Sequence, residues 1–150
     1  MTEKKPKTSA RHTVLIAANN ASLRSALHAG IRAEPKLSIC GEVETLPEAR
    51  IQAAICVPEI IVAQVTVANR AVREAFTDFH SLQPSPKVLA ITMGEDPDAA
   101  VKTLHAGADG LVSEKDEPGE IVAAILDLLA GHIYVSERVM GKTKRRRSPE

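Results

Sequence analysis

The side chains best suited to chemistry in this 150-residue chain stand where short apolar runs end. They are Asn19, Gln64, Thr92 and Glu114. The first three are uncharged, and each offers a hydrogen-bond donor and an acceptor, so their types favour a neutral hydrogen-bonded cluster. No glycine-rich phosphate loop follows any of the runs, and no Ser/His/Asp or Cys/His arrangement is visible. We therefore expect no catalysis, and a small α/β enzyme or nucleotide binder is the weakest hypothesis of function.

Five short runs rich in aliphatic and β-branched residues predict strands that are buried on both faces of a sheet. They cover residues 13–17, 37–41, 60–65, 88–92 and 110–112. The segments between them repeat apolar residues at helical spacing, as Leu23, Leu27 and Ile31 do. This alternation predicts a parallel sheet with helices on both faces, because right-handed crossovers place them there. Ligand chemistry in such folds gathers at the carboxyl ends of the strands, where the four polar residues stand.

Capping residues and first-turn prolines mark the predicted helix starts, at Asn20, Pro47, Asn69, Pro97 and Pro118. After the first helix, the residues predicted to face the core are Ala49, Ala53, Val72, Phe76, Phe79, Val101, Leu104, Ile121, Ile125 and Leu129. In the last helix, Val122 and Leu126 lie on a neighbouring face. They either widen the core stripe or form a dimer surface.

Charge is balanced, with 19 basic and 19 acidic residues, but basic residues crowd both ends of the chain. Residues 1–12 are polar and basic without periodicity and predict a disordered leader, while residues 142–150 indicate a linker or tail. Such basic ends either contact nucleic acid or keep linkers hydrated. Aromatic residues make up 2% of the chain, which leaves few surfaces for base stacking.

Cys40 and Cys56 lie in apolar stretches without a CxxC motif or zinc-ligand spacing, so two buried reduced thiols are expected. The five histidines are scattered without ligand spacing. No signal-like segment begins the chain, and no run approaches the ~18 apolar residues that a membrane span requires. We therefore expect a cytoplasmic protein that uses no metal or cofactor.

Residues 14–140 resemble the receiver domains of bacterial two-component response regulators, specifically the LuxR-type class. The passages that carry the resemblance are VLIAANNASLRSAL at 14–27, VLAITMGEDPDAAVKTLHAGADG at 88–110 and PGEIVAAILDLLAGHIYVS at 118–136. AGADG before the fifth strand is the most specific part. The resemblance implies a three-layer, doubly wound (βα)5 flavodoxin-like fold with a five-stranded parallel sheet. It also implies a receiver-like domain over 13–136, followed by a basic linker or tail over 137–150.

In such receivers, two acidic residues after the first strand and an aspartate after the third hold Mg²⁺, and that aspartate accepts a phosphoryl group. By the resemblance, the acidic pair falls on Ala18 and Asn19, and the acceptor falls on Gln64. The Ser/Thr position that senses the phosphoryl group is retained as Thr92, whereas the Lys position is Glu114. Phosphoryl transfer to a carboxylate requires a nucleophilic oxygen and a divalent cation. The resemblance therefore implies a receiver that neither binds Mg²⁺ nor is phosphorylated.

The alternative for this pocket is that Lys115, and not Glu114, occupies the position of the family's lysine. A one-residue bulge in the fifth strand would bring Lys115 there.

Two hypotheses of function follow from the resemblance. The first is a phosphorylation-independent receiver of a transcription regulator, which acts through protein contacts or dimerisation on an attached DNA-binding domain. KRRRSPE at 144–150 is similar to the start of the linker that leads to a helix-turn-helix domain in this class. The second is a stand-alone pseudo-receiver adaptor. The expected partners are a second copy or a signalling protein, with DNA contacted only through a following helix-turn-helix domain and no membrane.

Overall fold

The computed structural model describes residues 11–94 and 96–140, except for the side chain of Met140. Strands alternate with helices along this part of the chain, as the apolar patterning predicts. In chain order the elements are β1 (His12–Ala17), α1 (Ala21–Arg32), β2 (Leu37–Val43), α2 (Leu46–Cys56), β3 (Ile60–Val65), α3 (Arg70–His80), β4 (Lys87–Thr92), α4 (Pro97–His105), β5 (Gly110–Ser113), α5 (Pro118–Leu129), β6 (Tyr134–Val135) and α6 (Glu137–Met140). Within the described ranges, no helix is both long and apolar enough to pass through a bilayer.

The strands form one sheet in the order β2-β1-β3-β4-β5-β6, and every neighbouring pair is parallel. The predicted parallel fold is confirmed, but the expectation of five strands is wrong, because the sheet has six. The added strand, β6, pairs Tyr134 with Gly110 and Val135 with Leu111. Two residues are too few to show a periodicity in the sequence. Gly110 permits the approach, since a Cβ at this position would lie 3.1 Å from the carbonyl oxygen of Tyr134.

Two hydrophobic layers enclose the sheet. α1 and α5 cover one face, where Leu27 and Ile125 are buried against Ile16. The helices α2, α3, α4 and α6 cover the other face, where Phe76 is buried in the same layer as Leu15. Neighbouring residues of β1 thus point to opposite layers, as strand geometry requires. The three-layer architecture that the sequence predicts is confirmed.

Local sequence sets the starts of the helices. Asn20 and Asn69 each accept a hydrogen bond from the backbone N–H three residues ahead, at 2.9 and 3.1 Å. Thr45 and Glu48 form a capping box at the start of α2. Prolines occupy the first turns of α2, α4 and α5. The predicted starts are confirmed, and the cap at Thr45 is an addition.

Most residues predicted to face the core are buried, but three are placed differently. In α4 Ala100 and Thr103 are buried, whereas Val101 is 40% exposed and Leu104 is only partly buried. In α5 Leu128 is buried, and Leu129 is only partly buried. One position along a helix corresponds to a rotation of about 100°. In α4 the predicted inward face is therefore one residue too far along, whereas in α5 the prediction is correct at Ile121 and Ile125 and wrong only at Leu129.

Cys40 and Cys56 form a disulfide, so the expectation of two buried reduced thiols is wrong. Both residues are half-buried. Their Cα atoms lie 6.2 Å apart, which is within the usual range for a disulfide. Spacing along the chain could not reveal this pair, because β2 and α2 bring the two positions together across the fold.

Folded elements extend beyond the predicted receiver-like domain over 13–136 at both ends. β1 begins at His12, whose backbone N–H donates to the carbonyl of Lys36 at 2.8 Å. After residue 136 comes α6, in which Val139 is 1% exposed and belongs to the core. Residues 1–10 and 141–150, which hold most of the predicted leader and linker, lie outside the described residues.

Candidate functional site

Asn19, Asn20 and Gln64 form an amide cluster where β1 and β3 end. Parallel pairing places Ala17 beside Ala63, so the residues that follow lie at the same edge of the sheet. The Nε2 group of Gln64 donates to Oδ1 of Asn19 at 2.9 Å. The backbone N–H of Asn20 donates to Oε1 of Gln64 at 3.1 Å. Both ends of the Gln64 amide are therefore paired.

Ala18 connects this cluster to a cation that the sequence analysis did not identify. Its side chain is buried, and its carbonyl accepts a hydrogen bond from Nη1 of Arg24 at 2.6 Å. Nη2 of Arg24 also lies 3.8 Å from a carboxylate oxygen of Glu44, in the loop between β2 and α2. Arg24 thus joins the loops that follow β1 and β2. Its positive charge thus contacts the backbone of Ala18, one of the two positions to which the resemblance assigns the acidic pair.

Thr92 lies at the end of β4, where its side chain is almost fully buried. Its hydroxyl is 3.2 Å from the carbonyl oxygen of Gly94 and 3.4 Å from that of Val112. The hydroxyl is therefore oriented toward the main chain, and the hydrogen bonds of the amide cluster come from Asn19 and Gln64. Thr92 also lines a shallow cleft of about 240 Å³ between the loops that follow β3 and β4.

The loop after β5 is held by Asp116. Pairing between β4 and β5 is regular up to Ser113, so no bulge brings Lys115 to the lysine position. Glu114 is half-buried at the strand end, and Lys115 is exposed. Asp116 is 7% exposed and accepts a hydrogen bond from the backbone N–H of Ser113 at 2.9 Å.

Arg138 joins this loop to α6. Its Nε group lies 3.2 Å from Oδ1 of Asp116, whose side chain is 3% exposed, while the Arg138 side chain is 47% exposed. Asp116 and Arg138, like Arg24, were not predicted from the sequence. The available signal was a charged residue within a few positions of a strand end, which is too common in sequences to identify a partner.

Receivers of the family that this chain resembles hold Mg²⁺ at this edge of the sheet. The residues at the corresponding positions of this chain do not fit that ion. Mg²⁺ prefers carboxylate and water ligands. Ala18 has no side-chain donor, and the side-chain oxygens of Asn19 and Gln64 already accept hydrogen bonds. The guanidinium of Arg24 would repel a cation placed beside the Ala18 carbonyl. Across residues 11–94 and 96–140, no group of three or more His, Cys, Asp or Glu side chains is arranged to hold a metal ion.

Val122 and Leu126 lie at the edge of the layer formed by α1 and α5. Both are half-buried and pack against that layer. The helices approach closely here, since a Cβ built on Gly30 of α1 would lie 3.7 Å from Cγ2 of Val122. The two side chains therefore contribute to the core while keeping part of their surface exposed.

Solved structures share this fold over most of its length. A LuxR-family two-component response regulator from Aurantimonas sp. SI85-9A1 matches with a TM-score of 0.76 at 24% identity, covering 86% of this chain and 92% of that chain. The isolated REC domain of RcsB from Salmonella enterica serovar Typhimurium, in the presence of phosphomimetic BeF3⁻, matches with a TM-score of 0.74 at 15% identity, covering 86% and 96%. The fold is that of a receiver domain.

Curated relatives are similar to this chain in sequence. Response regulator GacA from Pseudomonas protegens is 27% identical over 103 residues, which cover 69% of this chain and 48% of that protein. The DNA-binding transcriptional activator DevR/DosR from Mycobacterium tuberculosis is 26% identical over 106 residues, covering 71% and 49%. The chain spans about half the length of these relatives, and no family model matches it. In fold and in sequence the chain is therefore similar to the receiver domains of response regulators.

Proposed function

We propose that this receiver works without phosphorylation. The pairing of the Gln64 amide is the observation that carries the proposal, because an amide cannot form an acyl phosphate and both of its ends are engaged by Asn19 and Asn20. Arg24 supports it by placing a positive charge at the carbonyl of Ala18, next to Asn19, where it disfavours a nearby divalent cation. The hydrogen bonds hold the loop after β1 against the end of β3 without metal or phosphate.

The domain then acts through contacts, as the non-enzymatic regulatory part of a cytoplasmic transcription regulator. Its partner in this proposal is a second copy or a signalling protein, and DNA is reached only through a following helix-turn-helix domain. Support comes from a relative that is a DNA-binding transcriptional activator about twice as long as the matched region. A stand-alone adaptor is the alternative, and sequencing the gene past Glu150 distinguishes the two.

Beryllofluoride with Mg²⁺ tests the absence of phosphorylation. The full chain is labelled with ¹⁵N, and its amide spectrum is recorded before and after addition of both reagents. We expect no change, because Gln64 offers no acceptor carboxylate and Ala18 and Asn19 offer no carboxylate to a metal ion. A matched control is the triple-aspartate variant, defined as Ala18→Asp, Asn19→Asp and Gln64→Asp together. Shifts of wild-type amides near Gln64 and Thr92 would overturn the proposal.

The partly exposed face of α5 around Val122 and Leu126 is our proposed surface for self-association. Sedimentation of the wild type over a range of concentrations should show a dimer, and Leu126→Glu should give a folded monomer. Ile55→Glu is the control, because Ile55 is 69% exposed and lies on α2, a helix on the opposite face of the sheet from α5. A wild type that stays monomeric at every concentration would refute the dimer. An unfolded Leu126→Glu variant would assign this face to the core.

A further inference from the structure

Cys40 occupies an irregular position in β2. Val14 of β1 pairs with Ile39, and the next residue of β1, Leu15, pairs with Gly41. Cys40 is therefore the extra residue of a β-bulge, a feature that re-aims a side chain out of the regular alternation. Here Cys40 packs at the edge of the layer that contains α2.

Cys56 is the last residue of α2, directly before Val57, which ends the helix in the left-handed conformation with φ 48°. The Cα atoms of Cys40 and Cys56 lie 6.2 Å apart, and their sulfurs are bonded. The chain contains two cysteines in total, so this pair has no competing thiol within the molecule. The bulge and the helix end thus supply two thiols that can react with each other.

Access to this pair comes from the edge of the sheet. β2 is an outermost strand, and both cysteines are half-buried. Accessibility is one of the conditions for thiol–disulfide exchange. A domain of this size buries enough apolar surface to fold without a disulfide, so the bond is not required to complete the core.

We propose that Cys40 and Cys56 form a reversible redox site, which is oxidised by a low-molecular-weight disulfide of the glutathione class. One cysteine thiolate attacks the small disulfide, forming a mixed disulfide and releasing one small thiol. The second cysteine thiolate then attacks the protein sulfur of that mixed disulfide, which forms the Cys40–Cys56 bond and releases the second small thiol. Two electrons pass from the cysteines to the small disulfide, and the two cysteine protons end on the released thiols.

The bond ties the edge strand to a helix whose first turn lies beside the amide cluster. Thr45 and Leu46, at the start of α2, line a cleft of about 210 Å³ with Asn19 and Gln64. The redox site does not depend on the proposed function, because exchange between these thiols requires no particular signalling mechanism.

Redox titration of the full chain tests this inference. The protein is reduced with dithiothreitol, desalted, and equilibrated at different ratios of oxidised to reduced glutathione. Free thiols are then trapped with N-ethylmaleimide and counted by intact mass. We expect both thiols to disappear together, with the loss of two hydrogens and no bound glutathione. The oxidised form should melt roughly 10 °C higher, because the bond closes a loop with a sequence separation of 16 residues.

Serine variants provide the controls. Cys40→Ser and Cys56→Ser should each stop at a mixed disulfide with glutathione, and the double variant should melt like the reduced wild type at every ratio. Circular dichroism of the double variant establishes that it is folded. Three wild-type results would each overturn the inference: both thiols free at all ratios, a stable mixed disulfide, or a bond that reduced glutathione cannot open. The beryllofluoride experiment is unaffected by any of them, so the two proposals fail separately.

Discussion

Replacing Asp116 with alanine should destabilise the domain, chiefly through the backbone of Ser113. Ser113 is fully buried, and its N–H donates to the Asp116 carboxylate at 2.9 Å. A buried donor that loses its partner costs about 1–3 kcal/mol. The ion pair with Arg138 adds less, because that side chain is 47% exposed and such pairs contribute about 0–1 kcal/mol. We therefore expect Asp116→Ala to lower the free energy of unfolding by about 2–3 kcal/mol.

Urea denaturation measures this loss. With a slope of about 2 kcal/mol/M, the midpoint should fall by roughly 1 M for Asp116→Ala and by less than half of that for Arg138→Ala. Asp116→Asn keeps an acceptor oxygen for Ser113 and should lie between the two. A double-mutant cycle isolates the coupling of Asp116 to Arg138, which we expect to be about 0.5–1 kcal/mol. Equal losses for Asp116→Ala and Arg138→Ala would refute the argument, since the ion pair would then outweigh the backbone hydrogen bond.

Three further predictions concern a tight turn, a helix cap and the cation beside the amide cluster. Gly107→Ala should cost about 2 kcal/mol in thermal or urea unfolding, because Gly107 has φ +120° and a new Cβ would lie 3.3 Å from Cβ of Phe76. Gly119→Ala, which meets nothing within 4 Å, is the matched control and should not destabilise. Thr45→Ala removes one half of a capping box and should cost about 1 kcal/mol by the same assays, and an unchanged midpoint would contradict the cap. Adding Arg24→Ala to the triple-aspartate variant should raise its Mg²⁺ affinity roughly fivefold in calorimetry, a gain of about 1 kcal/mol from relieved repulsion, and an equal or lower affinity would contradict that role.

The sequence was sufficient to predict the parallel sheet and most helix faces, because these depend on patterns within ten or fifteen residues. Phe76 in α3 and Ile125 in α5 follow such patterns and are fully buried. β6 was missed because two residues carry no period, and they are held by pairing to a distant strand. Cys40 was misjudged for the same reason, since its partner and the bulge that turns it depend on contacts across the fold.

The residues at the strand ends were located by their offsets along the chain, whereas their hydrogen-bond partners required the structure. Asn19 and Gln64 are 45 positions apart, and only parallel pairing of β1 with β3 brings their amides within 2.9 Å. Thr92 was expected in the same cluster, but its hydroxyl is oriented toward backbone carbonyls. Arg24 contacts the site from α1. Its contact depends on the rotamer of a long side chain, and a sequence pattern does not show which rotamer is adopted.

The arrangement of charges around Gln64 implies that a single substitution cannot restore phosphorylation. Gln64→Asp would supply an acceptor carboxylate, but Ala18 and Asn19 would still provide no carboxylate for a divalent cation, and Arg24 would remain beside them. We expect this variant, incubated with acetyl phosphate and Mg²⁺, to show no phosphoryl adduct by intact mass. The triple-aspartate variant with Arg24→Ala is the matched comparison. A phosphoryl adduct on the single variant would show that the lost metal ligands are not what prevents the reaction, and the argument from the pocket as a whole would fail.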